Sequence, residues 1–224
     1  MIPIKLTVIF PIRYRFVNRL EWPRAILHLD MDAFFVNVHI LENPQDQGVP
    51  LAVGGKPGKR GVIASASYEA RAKGVRSAMA SSKALKLCPE LKLVSSNRPM
   101  IRSCSVKVME ILARYGTLER MSVDEAFVDL SLQKNPEALV KTILKRIKVE
   151  TNLPSSAGLA TSKLVAKIAS DFEKPEGFTV VNPGTESKFL APLEIRKIYG
   201  IGPKTASRLN SLGIEKCSDI VSID

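Results

Sequence analysis

The sequence predicts an α+β fold built on a mixed β-sheet with helices on one face, arranged as a split-βαβ unit. Three observations predict it. The runs Ala25–Phe35 and Met121–Leu130 alternate as strands do. Apolar residues at helical spacing flank the second run, with Ile101, Val108, Ile111 and Leu112 before it and Leu139, Ile143, Leu144 and Ile147 after it, giving strand, helix, hairpin, helix. Beyond these, Gly200–Ile201–Gly202–Pro203 joins two helical stretches and reads as a hairpin in a separate C-terminal unit.

In chain order, residues 1–24 place Arg13, Arg15, Arg19 and Arg24 after the apolar run Leu6–Ile12, with no acid before Glu21. A secretory signal has the opposite order, so the segment reads as a dispensable extension, although its composition also suits an organelle transit peptide. In the first core strand Leu27, Leu29, Met31, Ala33 and Phe35 share one face, and Asp30 and Asp32 share the other. Leu51–Gly55 is a short strand between turns, and Lys56–Gly61 is a basic loop. Tyr68–Lys73 is a short helix closed by Gly74, and a second, rich in Ala and Ser, spans about Ser77–Leu87 before Pro89. This stretch carries so little bulk that either something sits beside it without clashing, or it is a small satellite subdomain. Ser155–Leu159 is a strand, and Thr161 or Ser162 caps a helix with Leu164, Val165 and Ile168 inward and Lys163 and Lys167 on another side. After Pro203 a last helix turns Ala206, Leu209 and Leu212 inward and ends at Gly213.

Charge narrows the partner. Thirty-three Lys and Arg against 22 Asp and Glu leave a net +11 in 224 residues, which draws the molecule to a polyanion. Nucleic acid leads, with ribosome, membrane-surface or heparin binding also compatible. Cys88, Cys104 and Cys217 form no CxxC pair, so neither a disulfide framework nor a zinc site is expected, and a reducing, cytoplasmic compartment fits. No apolar run reaches the ~18 residues of a membrane span.

Acids are poor strand formers, yet Asp124 and Glu125 lie side by side in a strand-like run. Neighbouring strand side chains point to opposite faces, so the two reach one object only at a turn or bulge. Two carboxylate-bearing strands of hard oxygen ligands suit Mg²⁺, which shares itself with substrate phosphates. Acids on surface strands also serve solubility, so an acidic pair alone does not decide. The Gly200–Gly202 hairpin exposes backbone N–H groups at a helix N-terminus. Lys204 and Arg208 beside it favour phosphate binding over a plain helical hairpin.

Six motifs stand in order along the chain: His28–Phe35, Pro50–Gly55, Tyr68–Arg71, Ser122–Ala126, Ala166–Asp171 with Lys174–Pro175, and Gly200–Thr205. Together they resemble the Y-family of translesion DNA polymerases, most similar to its DinB-like branch, over residues 25–224. The resemblance implies a palm of residues 25–38 and 98–181, fingers of 39–97 and a helix-hairpin-helix thumb of 182–224. It implies two Mg²⁺ ions, with Mn²⁺ as a substitute, held by Asp30, Asp124, Glu125 and the Met31 carbonyl. Asp30 and Asp124 are expected to bridge both ions, and Glu125 to hold the one that activates the primer 3′-hydroxyl. Phe34, Phe35, Ser65, Tyr68, Arg71 and Lys174 fall where the family meets the incoming nucleotide, Phe35 at the gate that excludes a 2′-hydroxyl. Gly200, Gly202, Lys204 and Thr205 fall at its DNA contacts.

The partners implied are primer-template DNA, a dNTP and a sliding clamp reached through sequence beyond Asp224, for a monomer acting away from membranes. The chain stops before the last thumb helices and the little-finger domain of the family, and so resembles a catalytic fragment. His39, Ala80 and Ser162 depart from the family pattern, where an acid, a proline and an asparagine are usual. Asp32 and Asp129 read as structural or supporting acids. Two other readings remain: a DNA-binding relative whose chemistry is weak or lost, and a nucleotidyl-cyclase-like palm enzyme, which has no reason to carry the hairpin.

Overall fold

The computed structural model describes residues 22–58 and 60–220, so nearly all of the expected extension at 1–24 lies outside the described residues. In order the chain forms β1 (Ile26–Met31), α1 (Phe34–Glu42), β2 (Leu51–Gly54), β3 (Ile63–Ala66), α2 (Tyr68–Ala72), α3 (Ser81–Leu87), β4 (Lys92–Val94), α4 (Arg98–Ala113), β5 (Thr117–Arg120) and β6 (Glu125–Asp129). It continues through α5 (Pro136–Thr151), β7 (Ser155–Ala160), α6 (Lys163–Ser170), β8 (Phe178–Val180), α7 (Glu186–Leu190), α8 (Pro203–Asn210) and α9 (Cys217–Ile220). No described helix is long and apolar enough to cross a membrane.

The larger sheet has the order β5-β6-β1-β7-β8. Both β6 and β7 run antiparallel to β1, so they are parallel to each other, and β6–α5–β7 is a split βαβ unit with β1 inserted between its strands. Alternation along β1 divides its side chains. Leu27, Leu29 and Met31 enter the main core with Ile111 and Leu112 of α4 and Ile143 and Ile147 of α5, while Ile26 joins Phe127, Val165, Ala166 and Ala169 on the other side. Helices therefore cover both faces, not the one face expected. Gly158 of β7 explains the closeness of α6: a Cβ there would meet Ala166 O at 2.1 Å and Ser170 N at 2.5 Å.

Four other expectations change. The first strand ends at Met31 because Ala33 adopts a left-handed conformation (φ 41°) and starts α1, so Phe35 lies on a helix. The alternating pattern ran on because α1 buries two faces, Phe34 and Val38 in the main core and Val36 against Leu51 and Val53. Residues 77–80 are not helical: Ser77 and Ala78 form a turn with Ala78 left-handed (φ 64°), Ala78 N and Ile63 N bond Ile63 O and Met79 O, and α3 begins only at Ser81. Leu164 and Leu212 are exposed.

Against the smaller sheet, β3-β2-β4, α2 and α3 pack Ala70 and Ala84 into one cluster with Ala52 and Ala66, which is the small-residue region of the sequence. In the C-terminal unit Ile195, Ala206 and Ile214 form a small core, and Gly200 (φ 93°) and Gly202 lead into α8 as the sequence predicts. Phe189 and Leu190 of α7 anchor on the α6 side of the large sheet.

Candidate active-site cleft

The acidic hairpin is built by Ser122. Its Oγ accepts the N–H groups of Asp124 and Glu125, both at 3.2 Å, and donates to Asp124 Oδ1 at 2.6 Å. Asp124 thus sits in the turn and Glu125 opens β6, the break in alternation that the adjacent acids require. Met31 N donates to Asp124 O at 3.0 Å, which brings the end of β1 against the turn. Asp30 is the direct cross-strand partner of Glu125, so both side chains point to the sheet face that α6 covers.

A cleft of about 210 Å³ opens there. Asp30, Met31, Asp124, Ser65, Ser77, Arg71, Lys174, Phe34 and Phe35 line it. Lys174 Nζ lies 2.8 Å from Asp30 and 2.7 Å from Asp171. Burial raises the Asp30 carboxyl to about 6; Asp171 and Asp124 add to the rise and Lys174 opposes it. Burial works against the Lys174 ammonium, but the carboxylates of Asp30 and Asp171 outweigh it and raise its proton affinity. The donor set fits a hard dication. Asp30 and Asp124 line one cleft with Met31, and although Lys174 pairs with Asp30, burial and the Asp124 charge still disfavour the ionised Asp30 carboxylate, which a bound dication would relieve.

Not every expected residue meets there. Glu125 lies outside the cleft lining, ion-paired to Lys167 with His28 Nε2 at 3.4 Å, and no three acid, His or Cys side chains converge as a metal cage among the described residues. The cause is local: α6 supplies Lys167, which takes Glu125, and the segment after it supplies Lys174, which takes Asp30 and Asp171. Phe34 borders the cleft but is 2% exposed and lies in the main core, its ring 5.9 Å from that of Phe35. Tyr68 donates its hydroxyl to Asp32 Oδ1 at 3.2 Å; burial first, then the Asp32 charge, push it up to about 12. The Arg71 guanidinium stacks 4.8 Å above the Tyr68 ring, and its Nε donates to Ala66 O at 3.0 Å.

Gly200, Gly202, Lys204 and Thr205 form a separate exposed site at the start of α8, where no side chain caps the helix. It adjoins the acids through Tyr199, whose ring lies 4.9 Å below Lys167 Nζ. Sequence reasoning missed Lys167, read only as an outward lysine, and His28, buried with its Nδ1 2.7 Å from Ser170 Oγ. The four-residue offset of Lys167 from Asp171 and its shared helix with Val165 were the available signals. Asp129 stays exposed at the far end of β6, bonding Ser131 N, away from the cleft.

Known proteins share this sequence and fold. Residues 29–171 match the impB/mucB/samB family, and residues 183–214 match the helix-hairpin-helix motif of the same group. DNA polymerase IV of Shewanella amazonensis is 45% identical over 205 residues, which cover 89% of this chain and 58% of that protein. The DNA polymerase IV of Shewanella baltica is also 45% identical, over 202 residues covering 88% and 56%. The chain thus spans little more than half the length of these relatives. Among solved structures, DinB from Sulfolobus solfataricus superposes with a TM-score of 0.85 at 35% identity, over 89% of this chain and 60% of that one. An insertion ternary complex of Dbh DNA polymerase gives 0.83 at 34%, over 89% and 61%. With the match running unbroken from Leu29 in β1 to Asp171 at the end of α6, the chain belongs to the impB/mucB/samB family.

Proposed function

We propose that this chain carries the catalytic part of a template-directed DNA polymerase of the translesion class, transferring a nucleotide from a dNTP to a primer 3′-hydroxyl. One observation carries the reading: Asp30, Met31 and Asp124 line the same small cleft as Arg71 and Lys174. The large sheet with its helices is then the palm, residues 39–97 the fingers and residues 182–224 the thumb. The four proteins compared above, named as DNA polymerases or as DinB, support it by analogy.

In this reading Asp30, Asp124, Glu125 and Met31 would hold the divalent ions. Two Mg²⁺ ions held there would supply Lewis-acid stabilisation of phosphate charge and a more acidic 3′-hydroxyl. The chain does the rest. Arg71 forks onto phosphate oxygens of the triphosphate and Lys174 adds a point charge beside it. Phe35 lies under the sugar and leaves no room for a 2′-hydroxyl. Across Phe35 and Ala64 a second cavity of about 630 Å³, edged by Arg98, Arg102 and Arg120, takes the template strand. The small side chains Ala64, Ser65 and Ser77 leave space for a damaged base. Gly200, Gly202, Lys204 and Thr205 grip phosphates of the duplex without reading sequence.

Primer extension on a recessed duplex with Mg²⁺ and dNTPs tests this, and template-dependent elongation is the expected result. The competing reading is a DNA-binding relative whose chemistry is lost, favoured by the lysine partners of Asp30 and Glu125. Duplex binding without elongation under Mg²⁺ or Mn²⁺ would establish that reading instead.

A further inference from the structure

Asp32 is 1% exposed, yet its partners are neutral. Ser156 of β7 donates its hydroxyl to both carboxylate oxygens at 2.9 Å, the Glu176 N–H donates to Oδ2 at 2.8 Å, and the Tyr68 hydroxyl donates to Oδ1 at 3.2 Å. Ser156 Oγ also accepts the Gly177 N–H at 3.2 Å, and Asn37 Nδ2 donates to the Asp32 carbonyl at 2.6 Å. A buried carboxylate held only by neutral donors gains little stability from them, because its desolvation offsets the bonds it accepts. The bonds do join three chain segments far apart in sequence: the fingers helix α2, the palm strand β7, and the loop from Lys174 to Gly177.

We propose that Asp32 is a positioning residue for the incoming nucleotide, fixing the Tyr68 hydroxyl of the fingers against the Lys174–Gly177 loop of the palm. The inference rests on the cleft being a nucleotide site. Arg71 and Lys174 both line that cleft, and Arg71 stacks on the Tyr68 ring, so a triphosphate that meets Arg71 and Lys174 must find them at one spacing. Asp32 sets the spacing, since each of its oxygens belongs to one side. The high proton affinity of Tyr68 agrees, because its phenol stays a donor.

The conservative variant Asp32→Asn leaves one acceptor oxygen where two are used, so the amide NH₂ must face either the Glu176 N–H or the Tyr68 hydroxyl. Two measurements test the proposal, the first without any substrate. Hydrogen exchange on the free protein should show the Glu176 and Gly177 amides exchanging about tenfold faster in Asp32→Asn. In primer extension the same variant should raise the KM for dNTP about tenfold while kcat changes less than about threefold. Tyr68→Phe, which removes one arm and keeps the packing, should raise KM by itself, and the double variant should be no worse than Asp32→Asn alone. Unchanged exchange at 176 and 177 would overturn the joint whether or not the wild-type protein polymerises. Faster exchange with unaltered KM, or strictly multiplicative effects of the two substitutions, would overturn the positioning role. Absence of extension by the wild-type protein would sink the polymerase reading and with it the nucleotide role, while the exchange result would still decide the joint. If Asp32→Asn fails to fold, Ser156→Ala and Tyr68→Phe carry the same two readouts.

Discussion

Gly158→Ala introduces a single methyl group where β7 and α6 touch. An ideal Cβ at Gly158 lies 2.1 Å from Ala166 O, 2.5 Å from Ser170 N and 2.9 Å from Ala169 Cβ. Ordinary carbon contacts begin near ~3.5 Å, so α6 must move from the sheet by about 1 Å. Two of the three obstacles are backbone atoms, which no rotamer change relieves. Moving the helix strips contact from Ile26, Phe127, Val165 and Ala169, all of the same cluster. Overpacking typically costs ~1–3 kcal/mol, and this site belongs at the upper end. A loss of about 3 kcal/mol shifts the folding equilibrium by roughly a hundredfold and lowers Tm by roughly 6–12 °C for a chain of this size. Urea and thermal unfolding followed by circular dichroism measure both. The matched control is Gly202→Ala, where no atom lies within 4 Å of the new Cβ and φ is −78°, so stability should stay within about 0.5 kcal/mol. A Gly158→Ala loss below about 1 kcal/mol would refute the claim that this contact sets the helix–sheet distance.

Asp124→Ala should abolish extension and leave duplex affinity within about twofold, as read by anisotropy, because it removes a cleft carboxylate and no phosphate-contacting surface. Phe35→Ala should raise ribonucleotide incorporation relative to deoxynucleotide in single-nucleotide assays, and an unchanged sugar preference would remove Phe35 from the gate. Asp46 accepts from Lys92 at 2.5 Å and His39 at 2.8 Å, bonds that hold its carboxyl below the usual value. A depressed carboxyl stabilises the fold above its unfolded pKa of ~3.9 and loses that contribution as pH falls through the folded value. Wild-type stability should therefore fall more steeply than that of Asp46→Asn on acidification below about pH 4, and parallel curves would contradict the pairing. Duplex binding should weaken with salt by about 0.9 log units per log unit of salt for each phosphate neutralised, and Lys204→Ala should lower that slope by roughly one phosphate.

The strands, the long helices and the hairpin at Gly200 could be read from sequence because each has a local cause. Periodicity set α4 and α5, Ser162 capped α6, and Gly213 closed α8 with a positive φ. What escaped depends on partners distant in the chain. The end of β1 at Met31 follows from the Asp124 carbonyl and from the turn at Ala33, neither of which interrupts the alternating pattern of residues 25–35. In the site, Asp30, Asp124, Arg71 and Lys174 were nameable from motifs, and they line one cleft. That Glu125 turns to Lys167, and that Asp32 joins Ser156, Tyr68 and Glu176, needed the register of β1 against β6 and β7.

The central place of β1 governs how the chain is born. A ribosome releases this strand before its neighbours, with β6 following about 94 residues later and β7 about 124 residues later. At ~5–20 residues per second the strand waits roughly 5–20 s for its first neighbour. During that interval Leu27, Leu29 and Met31 have no core to enter, and both strand edges offer unpaired N–H and C=O groups to other nascent chains. The smaller sheet can fold in the meantime, since β2, β3 and β4 lie within about 45 residues, and its closing tethers β1 beside α1 without covering it. Holdase chaperones that bind extended apolar segments should therefore engage nascent chains stalled before residue 125 and release those stalled well beyond residue 160, where the large sheet can close.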